Sequence, residues 1–374
     1  MPTNPLRALL DEGQSVWYDN IYRAMIHSGE LAKMIREDGL RGITSNPSIF
    51  EKAIAGSKDY DSAIQEEMKQ NPGQETRDLF FTLAIADIQA AADLLLPTYR
   101  AAVGHDGLIS LEVSPDLAYD TKATVEEAKK LWKRVNRPNL MIKVPATKEG
   151  VPAVEQLISE GINVNVTLLF GVPRYVEVAR AFIAGLESRQ KRGQPVDQVA
   201  SVASFFVSRV DTAVDKILAT KGEKAKSLIG KTAIANAKMA YAAYEELFNQ
   251  ARFQALKQGG ARPQRLLWAS TGTKSADYSD VLYLDELIGP NTVTTVPPAT
   301  YLAFKDHGTV KATLKKGLDE ARKHLAELPA FGVDLTKITA QLEDEGVKAF
   351  AKSFENLLTA LGSKKREMRS TAAA

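Results

Sequence analysis

The chain has 374 residues, 44% hydrophobic, 25% charged and 7% aromatic, the composition of a folded protein with ample core, which excludes disordered and low-complexity architectures. Lys and Arg number 48 against 46 Asp and Glu, a net charge of +2 that leaves no electrostatic footprint for nucleic acid or an anionic membrane, so any bound phosphate must be gripped locally. Cysteine is absent, which removes disulfides, thiolate metal ligands and a thiol nucleophile.

At about 150 residues per domain the length allows two or three domains or one large barrel. The start, MPTNPLRALLDEGQ, has no basic-then-apolar leader, and the richest apolar stretch, LAIADIQAAADLLL, carries Asp87 and Asp93. Neither export nor membrane spanning is expected, and the expected location is cytoplasmic.

Strand-length runs rich in Val, Ile and Leu then recur in chain order: SVWYDN, GITSN, LISLEVS, NLMIKVPA, INVNVTLLF, VASFFVS, RLLWAS and NTVTTV. Segments of helical period separate them, among them TVEEAKKLWKRV, PAVEQLISEG, RYVEVARAFIAGL and TAIANAKMAYAAYEELF. Alternation of this kind implies parallel strands joined by helical crossovers. The predicted fold is α/β, a (β/α)8 TIM barrel with additional helices in 47–107, 210–264 and beyond 300. Residues 1–362 form one domain in this reading, and 363–374, SKKREMRSTAAA, a flexible basic tail. The alternative, an open doubly wound sheet, would carry a glycine-rich first turn, and no GxGxxG occurs.

Polar residues recur at period two inside these runs. Ser110, Glu112 and Ser114 share one face of the third; Asn163, Asn165 and Thr167 share one face of the fifth. Thr44 pairs with Asn46, Trp17 with Asp19 and Ser204 with Phe206, while Lys143 stands opposite Leu140, Ile142 and Val144. In an antiparallel sheet such a face would meet water. In a parallel barrel the outer face packs on helices, so the polar face must converge inside, where an unpaired charge is costly. Lys143 alone reads as a snorkelling or ion-paired lysine. In the company of Asp19 and Glu112 it also reads as an amine that attacks a ketone to give an imine, with a carboxylate moving the protons. The competing reading makes both acids structural counter-ions of Lys143.

GITSNPSIF, SLEVSPDLAYDT, MIKVPAT, GINVNVTLLF, SFFVSRVD and LWASTGTK resemble, in order and over essentially the whole chain, the strand motifs of the transaldolase family in its longer bacterial form. The resemblance implies a cofactor-free transferase of the non-oxidative pentose phosphate pathway. It would carry a dihydroxyacetone unit from sedoheptulose 7-phosphate or fructose 6-phosphate to glyceraldehyde 3-phosphate or erythrose 4-phosphate. By the same resemblance Lys143 forms the Schiff base, Glu112 works through a water held with Thr167, and Asp19 takes the C4 hydroxyl proton. Asn46 and Asn165 would hold the dihydroxyacetone unit, and Arg209, with Ser204 nearby, the phosphate. Many members place a second arginine in an ASFR motif, whereas this chain has ASTGTK with Gly272 at that position. Lys274 and Ser270 are then the candidates for the missing contact. Relatives of this type include monomers and homodimers, and phosphorylated sugars are the only partners implied.

Two other readings stay open on the residues. A fructose 6-phosphate aldolase-like lyase would use the same lysine but release free dihydroxyacetone; such chains are shorter and lack the glutamate. A silent barrel would bind phosphosugars without an amine that reacts. AKSLIGKT approaches a P-loop but has Ala225 where the first glycine belongs and a charged helical segment before it. His27, His105, His307 and His324 show no paired spacing, so no metal site is expected. Arg209 beside Asp211 also reads as an ordinary ion pair.

Overall fold

The computed structural model describes residues 4–373, with side chains to 370. Eight parallel strands close into a barrel in sequence order: β1 (Gln14–Tyr18), β2 (Gly42–Ile43), β3 (Leu108–Glu112), β4 (Leu140–Pro145), β5 (Val164–Leu169), β6 (Ser201–Phe206), β7 (Arg265–Ala269) and β8 (Thr292–Val296). Each coincides with a run expected from the sequence, β1 and β6 starting one residue before theirs. The open-sheet alternative is excluded by closure, since β1 pairs with β8 as well as with β2.

The additional helices occupy the stretches expected for them, including Thr76–Ala101 before β3 and Leu335–Ala373 at the end. Thr76–Ala101 is long and apolar enough to cross a membrane by length and composition. Here it packs against β3, with Leu83, Ile88, Ala92 and Leu95 buried. Its buried Asp87 is paired with Arg23 at 2.8 Å and accepts from the Tyr60 hydroxyl at 2.7 Å, which accounts for a charge inside an apolar run.

The C-terminal stretch corrects one expectation. Residues 363–373 continue the last helix instead of forming a flexible tail. Lys364 donates to Ser57 O and to Asp61, Lys365 to Gln74 O and Arg369 to Pro72 O. The basic residues that read as a solvated tail thus hold down the segment between β2 and β3.

Two opposite faces organise the barrel. Val144, Val166, Phe205 and Trp268 point outward to the helices, with Phe205 and Trp268 in edge-to-face contact. At the N-terminal end the interior is closed by charge. Arg265 Nη2 lies 3.4 Å from Asp106 Oδ1 and donates to His105 O at 2.6 Å, and Trp17 Nε1 donates to Asp106 at 3.0 Å. Trp17 crosses the interior above this pair, and β2 presents Gly42 to it: a Cβ there would lie 2.5 Å from the indole. Asn163 belongs to this end too, donating to Pro138 O and Leu140 O and accepting from Ala200 N. Ser114 leaves the interior altogether, its N–H and hydroxyl both bound by Glu127. The polar face expected at period two therefore divides: its middle reaches a common interior, and its two ends serve the frame.

Removing one partner of a buried ion pair strands the other charge, so Asp106→Ala is expected to cost about 3–5 kcal/mol of stability. Urea unfolding of the two proteins measures this; a difference under about 1 kcal/mol would place the pair among weak surface bridges.

Candidate active site

Strand register brings the reactive groups together. β3 and β4 align Glu112 with Lys143, and β4 and β5 align Lys143 with Asn165. Side chains of neighbouring strands at one register level share a face, so three inward positions of separate runs become neighbours. Lys143 is 4% exposed. Its Nζ lies 3.2 Å from Glu112 Oε2, donates to Ser45 O at 3.1 Å and sits 5.6 Å from the centre of the Phe350 ring.

The cavity at the C-terminal ends of the strands encloses roughly 590 Å3 including its open mouth, and is lined by Asp19, Thr44, Asn46, Lys143, Thr167 and Ser204 in its depth. Arg209, Ser270 and Lys274 stand among its other lining residues. That is the face on which barrel sites assemble, because the βα loops converge there. Asp19 lies just past β1 and accepts from Thr44 Oγ1 at 2.6 Å; Thr44 in turn is 2.6 Å from Thr295 Oγ1. Burial pushes the Asp19 carboxyl up, opposed by Lys143, the Thr44 hydrogen bond, Arg209 and Lys274. Glu112 is raised by burial as well, opposed by Lys143. Apart from the ion pair with Lys143, neither Glu112 oxygen has a hydrogen-bond partner, and the buried Thr167 hydroxyl has none. Two groups able to exchange a proton with the lysine or its adduct are therefore unengaged elsewhere.

Asn46 caps the helix Pro47–Phe50 through its carbonyl oxygen, which accepts from Ile49 N at 3.0 Å, and still lines the cavity. Asn165 sits deeper than Asn46. It is fully buried, donates to Ser110 Oγ at 2.9 Å, accepts from Ser204 Oγ at 2.6 Å, and does not line the cavity. It holds the floor on which Lys143 and Ser204 stand.

Arg209 does not pair with Asp211. Among the described residues its guanidinium has no hydrogen bond or ion pair, lies 5.4 Å from the Phe206 ring, and is lowered in pKa by burial, against Asp19 and Glu345. Asp211 faces away, accepting from Ala233 N at 2.7 Å and from the Tyr283 hydroxyl at 2.9 Å. Ser270 has a left-handed backbone, φ +56°, and its hydroxyl meets Ser208 at 2.8 Å; such a conformation persists only where surrounding contacts hold it. The loop beyond it, with the exposed Lys274, is tied down by Tyr278, which donates to Asp215 at 2.6 Å. Tyr278 also packs on Gly230, in the stretch that resembled a P-loop. That stretch connects helices Glu223–Lys226 and Thr232–Asn249, without the strand a P-loop follows.

Thr44, Thr295 and Phe350 are among the lining residues that the sequence reading did not single out as site residues. Thr44 was visible on the inward face beside Asn46, and Thr295 alternates within NTVTTV, but a hydroxyl at period two carries no chemistry until its neighbour is known. Phe350, more than 200 residues beyond Lys143 on the C-terminal helix, leaves no local signal.

A closed parallel barrel with a buried lysine beside a carboxylate, at the end where the strands' loops converge, defines a Schiff-base aldolase barrel. The family model described as Transaldolase/Fructose-6-phosphate aldolase matches residues 16–361. The chain is 50% identical to a transaldolase of Thermobifida fusca (95% of this chain, 96% of the relative) and 50% identical to one of Saccharopolyspora erythraea (96% and 97%). A transaldolase of Thiobacillus denitrificans is 49% identical over 94% of this chain and 97% of its own length. The chain belongs to the transaldolase/fructose-6-phosphate aldolase family, and its activity is that of a transaldolase, a transferase.

Burial pushes Asp211 up to about 7, with Asp215 adding to the rise and the Ala233 N–H and Tyr283 hydroxyl opposing it. An acid raised in the folded state stabilises it fully below its unfolded pKa of about 3.9, and that stability is lost as pH rises toward about 7. Relative to Asp211→Asn, the parent is expected to lose up to roughly 4 kcal/mol between these limits. Unfolding titrations at several pH values check it, and a constant difference across the range would contradict it.

Proposed function

We propose that Lys143 is the amine that carries the dihydroxyacetone unit, with Glu112 and Asp19 as its two proton carriers. The observation that carries the reading is the 3.2 Å contact between Lys143, which lines the cavity together with Arg209 and Lys274, and a buried glutamate with no other partner. For attack, Lys143 gives up a proton, and Glu112 is the nearest carboxylate to receive it. The nitrogen adds to the C2 carbonyl of the ketose. Glu112, with a water bound to Thr167, protonates the C2 hydroxyl so that it departs as water and the imine forms.

Asp19 then accepts the proton of the C4 hydroxyl. The C3–C4 bond breaks, its electron pair passes into the imine to give an enamine, and the aldose phosphate leaves. With an acceptor aldehyde the steps run backward: C3 attacks the aldehyde carbon, Asp19 returns the proton to the new hydroxyl, and water releases the product ketose. Thr44 orients Asp19 by its 2.6 Å hydrogen bond. Asn46 faces the hydroxyls of the retained unit, while Asn165 acts from beneath by fixing Ser204.

The phosphate is assigned to Arg209, whose planar fork suits two phosphate oxygens, with Lys274 and Ser270 in the place of the arginine that ASFR-type members carry. Phosphorylated sugars are the partners of this site. The proposed location is the cytoplasm, in keeping with the packing of helix Thr76–Ala101 against the barrel.

Borohydride treatment with fructose 6-phosphate is expected to leave a stable adduct on Lys143, and Lys143→Ala to lose both the adduct and nearly all turnover. A tenth of the parent activity surviving would refute the assignment. Arg209→Ala is expected to raise KM for fructose 6-phosphate roughly 10–100-fold, as loss of a charged hydrogen bond implies, with little change for unphosphorylated donors. Equal effects on both donor types would remove the phosphate role.

A further inference from the structure

The C-terminal helix Leu335–Ala373 contributes one residue to the cavity lining among those described, Phe350. Its position is set from both sides. One turn earlier is Gly346, where a Cβ would come 2.8 Å from Leu168 Cδ2. Leu168 occupies the bulge of β5 with φ +61°, so the absent side chain at 346 lets the helix approach the strand bearing Thr167. One turn later, Ser353 is hydrogen-bonded at 2.7 Å to Ser48, within the helix that Asn46 caps. Phe354 packs edge-on to Phe80 at 5.4 Å. Residues 346, 350 and 354 share one helical face, and that face is pinned across the mouth with Phe350, 4% exposed, at its middle.

Ser45 O and Glu112 can each accept a hydrogen bond from Lys143 Nζ; the Phe350 ring, 5.6 Å away, offers only a π face. Such a face attracts a cation within about 6 Å and hydrogen-bonds no water. We propose that Phe350 is a specificity-determining roof over the lysine adduct, favouring transfer of the dihydroxyacetone unit over its release. The inference rests on the role assigned to Lys143 above.

The chemistry turns on the enamine. In transfer, the enamine carbon C3 forms a bond to the acceptor carbonyl carbon. In release, the same carbon takes a proton from water, water adds at C2, and the C–N bond breaks to give dihydroxyacetone and the free amine. Both routes use the water held by Glu112 and Thr167 to hydrolyse an imine. Only release needs a proton delivered from solvent to C3 while the acceptor site is empty. An aromatic wall beside the nitrogen limits that delivery without touching the acids that transfer requires.

The test compares the parent with Phe350→Ala and Phe350→Leu. Free dihydroxyacetone formed from fructose 6-phosphate alone is measured against transfer to erythrose 4-phosphate, and borohydride labelling of Lys143 is followed in each protein. The expected result is a release-to-transfer ratio roughly tenfold higher in Phe350→Ala, a smaller rise in Phe350→Leu, and labelling retained. Phe350→Leu keeps an apolar side chain in place, so the comparison survives if the alanine variant does not fold. An unchanged ratio in a labelled, folded Phe350→Leu protein would overturn the roof and leave the lysine chemistry standing. Absence of label in the parent would overturn the lysine chemistry, and this inference with it.

Discussion

Lys143 and Glu112 meet at 3.2 Å because β3 and β4 are in register at those two residues, and the site follows from that alignment. A one-residue slip would send either side chain to the outer face of the barrel, among the helices, where neither could be solvated or paired. Bringing two opposite charges into such an interior is costly unless each serves the other. The pair satisfies that condition, yet Glu112 keeps one oxygen without a partner, which leaves it able to move protons.

The rest of the structure limits what else these groups can do. At the far end of the barrel Arg265, Asp106 and Trp17 close the interior, so the cavity opens only where the βα loops gather. Asn165 bridges Ser110 and Ser204 at the register level of Lys143. Arg209 is left without an ion pair because Asp211, close by in sequence, is engaged by Tyr283 and Ala233. Two of the left-handed non-glycine residues stand at the site: Leu168 on β5, next to the lining Thr167, and Ser270 just past β7, itself a lining residue. Strain at such positions is tolerated when packing on either side determines it, here through Gly346 and Ser208 respectively.

Much of this was legible beforehand. The eight strands were readable because parallel strands buried on both faces are written as continuous apolar runs, and the alternation of Lys143 against Ile142 and Val144 survived into the barrel. The family motifs supplied the roles proposed for Asp19, Glu112, Lys143 and Arg209. Asn163 and Ser114 misled because period two marks a face without marking depth: Asn163 fell below the cavity and Ser114 beyond the strand, bound to Glu127. The basic C-terminal stretch misled because charge density alone reads as solvated, whereas Lys364, Lys365 and Arg369 find carbonyl oxygens of a distant loop.

The sequence by itself determined the alternation of strands and helices, the inward placement of the lysine and its acids, and the membership of a transaldolase family. These depend on local patterning and on motifs that keep their meaning in one dimension. Tertiary structure alone decided which inward residues reach the cavity, that Arg209 is free of Asp211, and that a phenylalanine of the last helix stands over Lys143. Those facts depend on strand register and on the close approach of segments hundreds of residues apart, and chain closure of that kind leaves no periodic trace in the residues it joins.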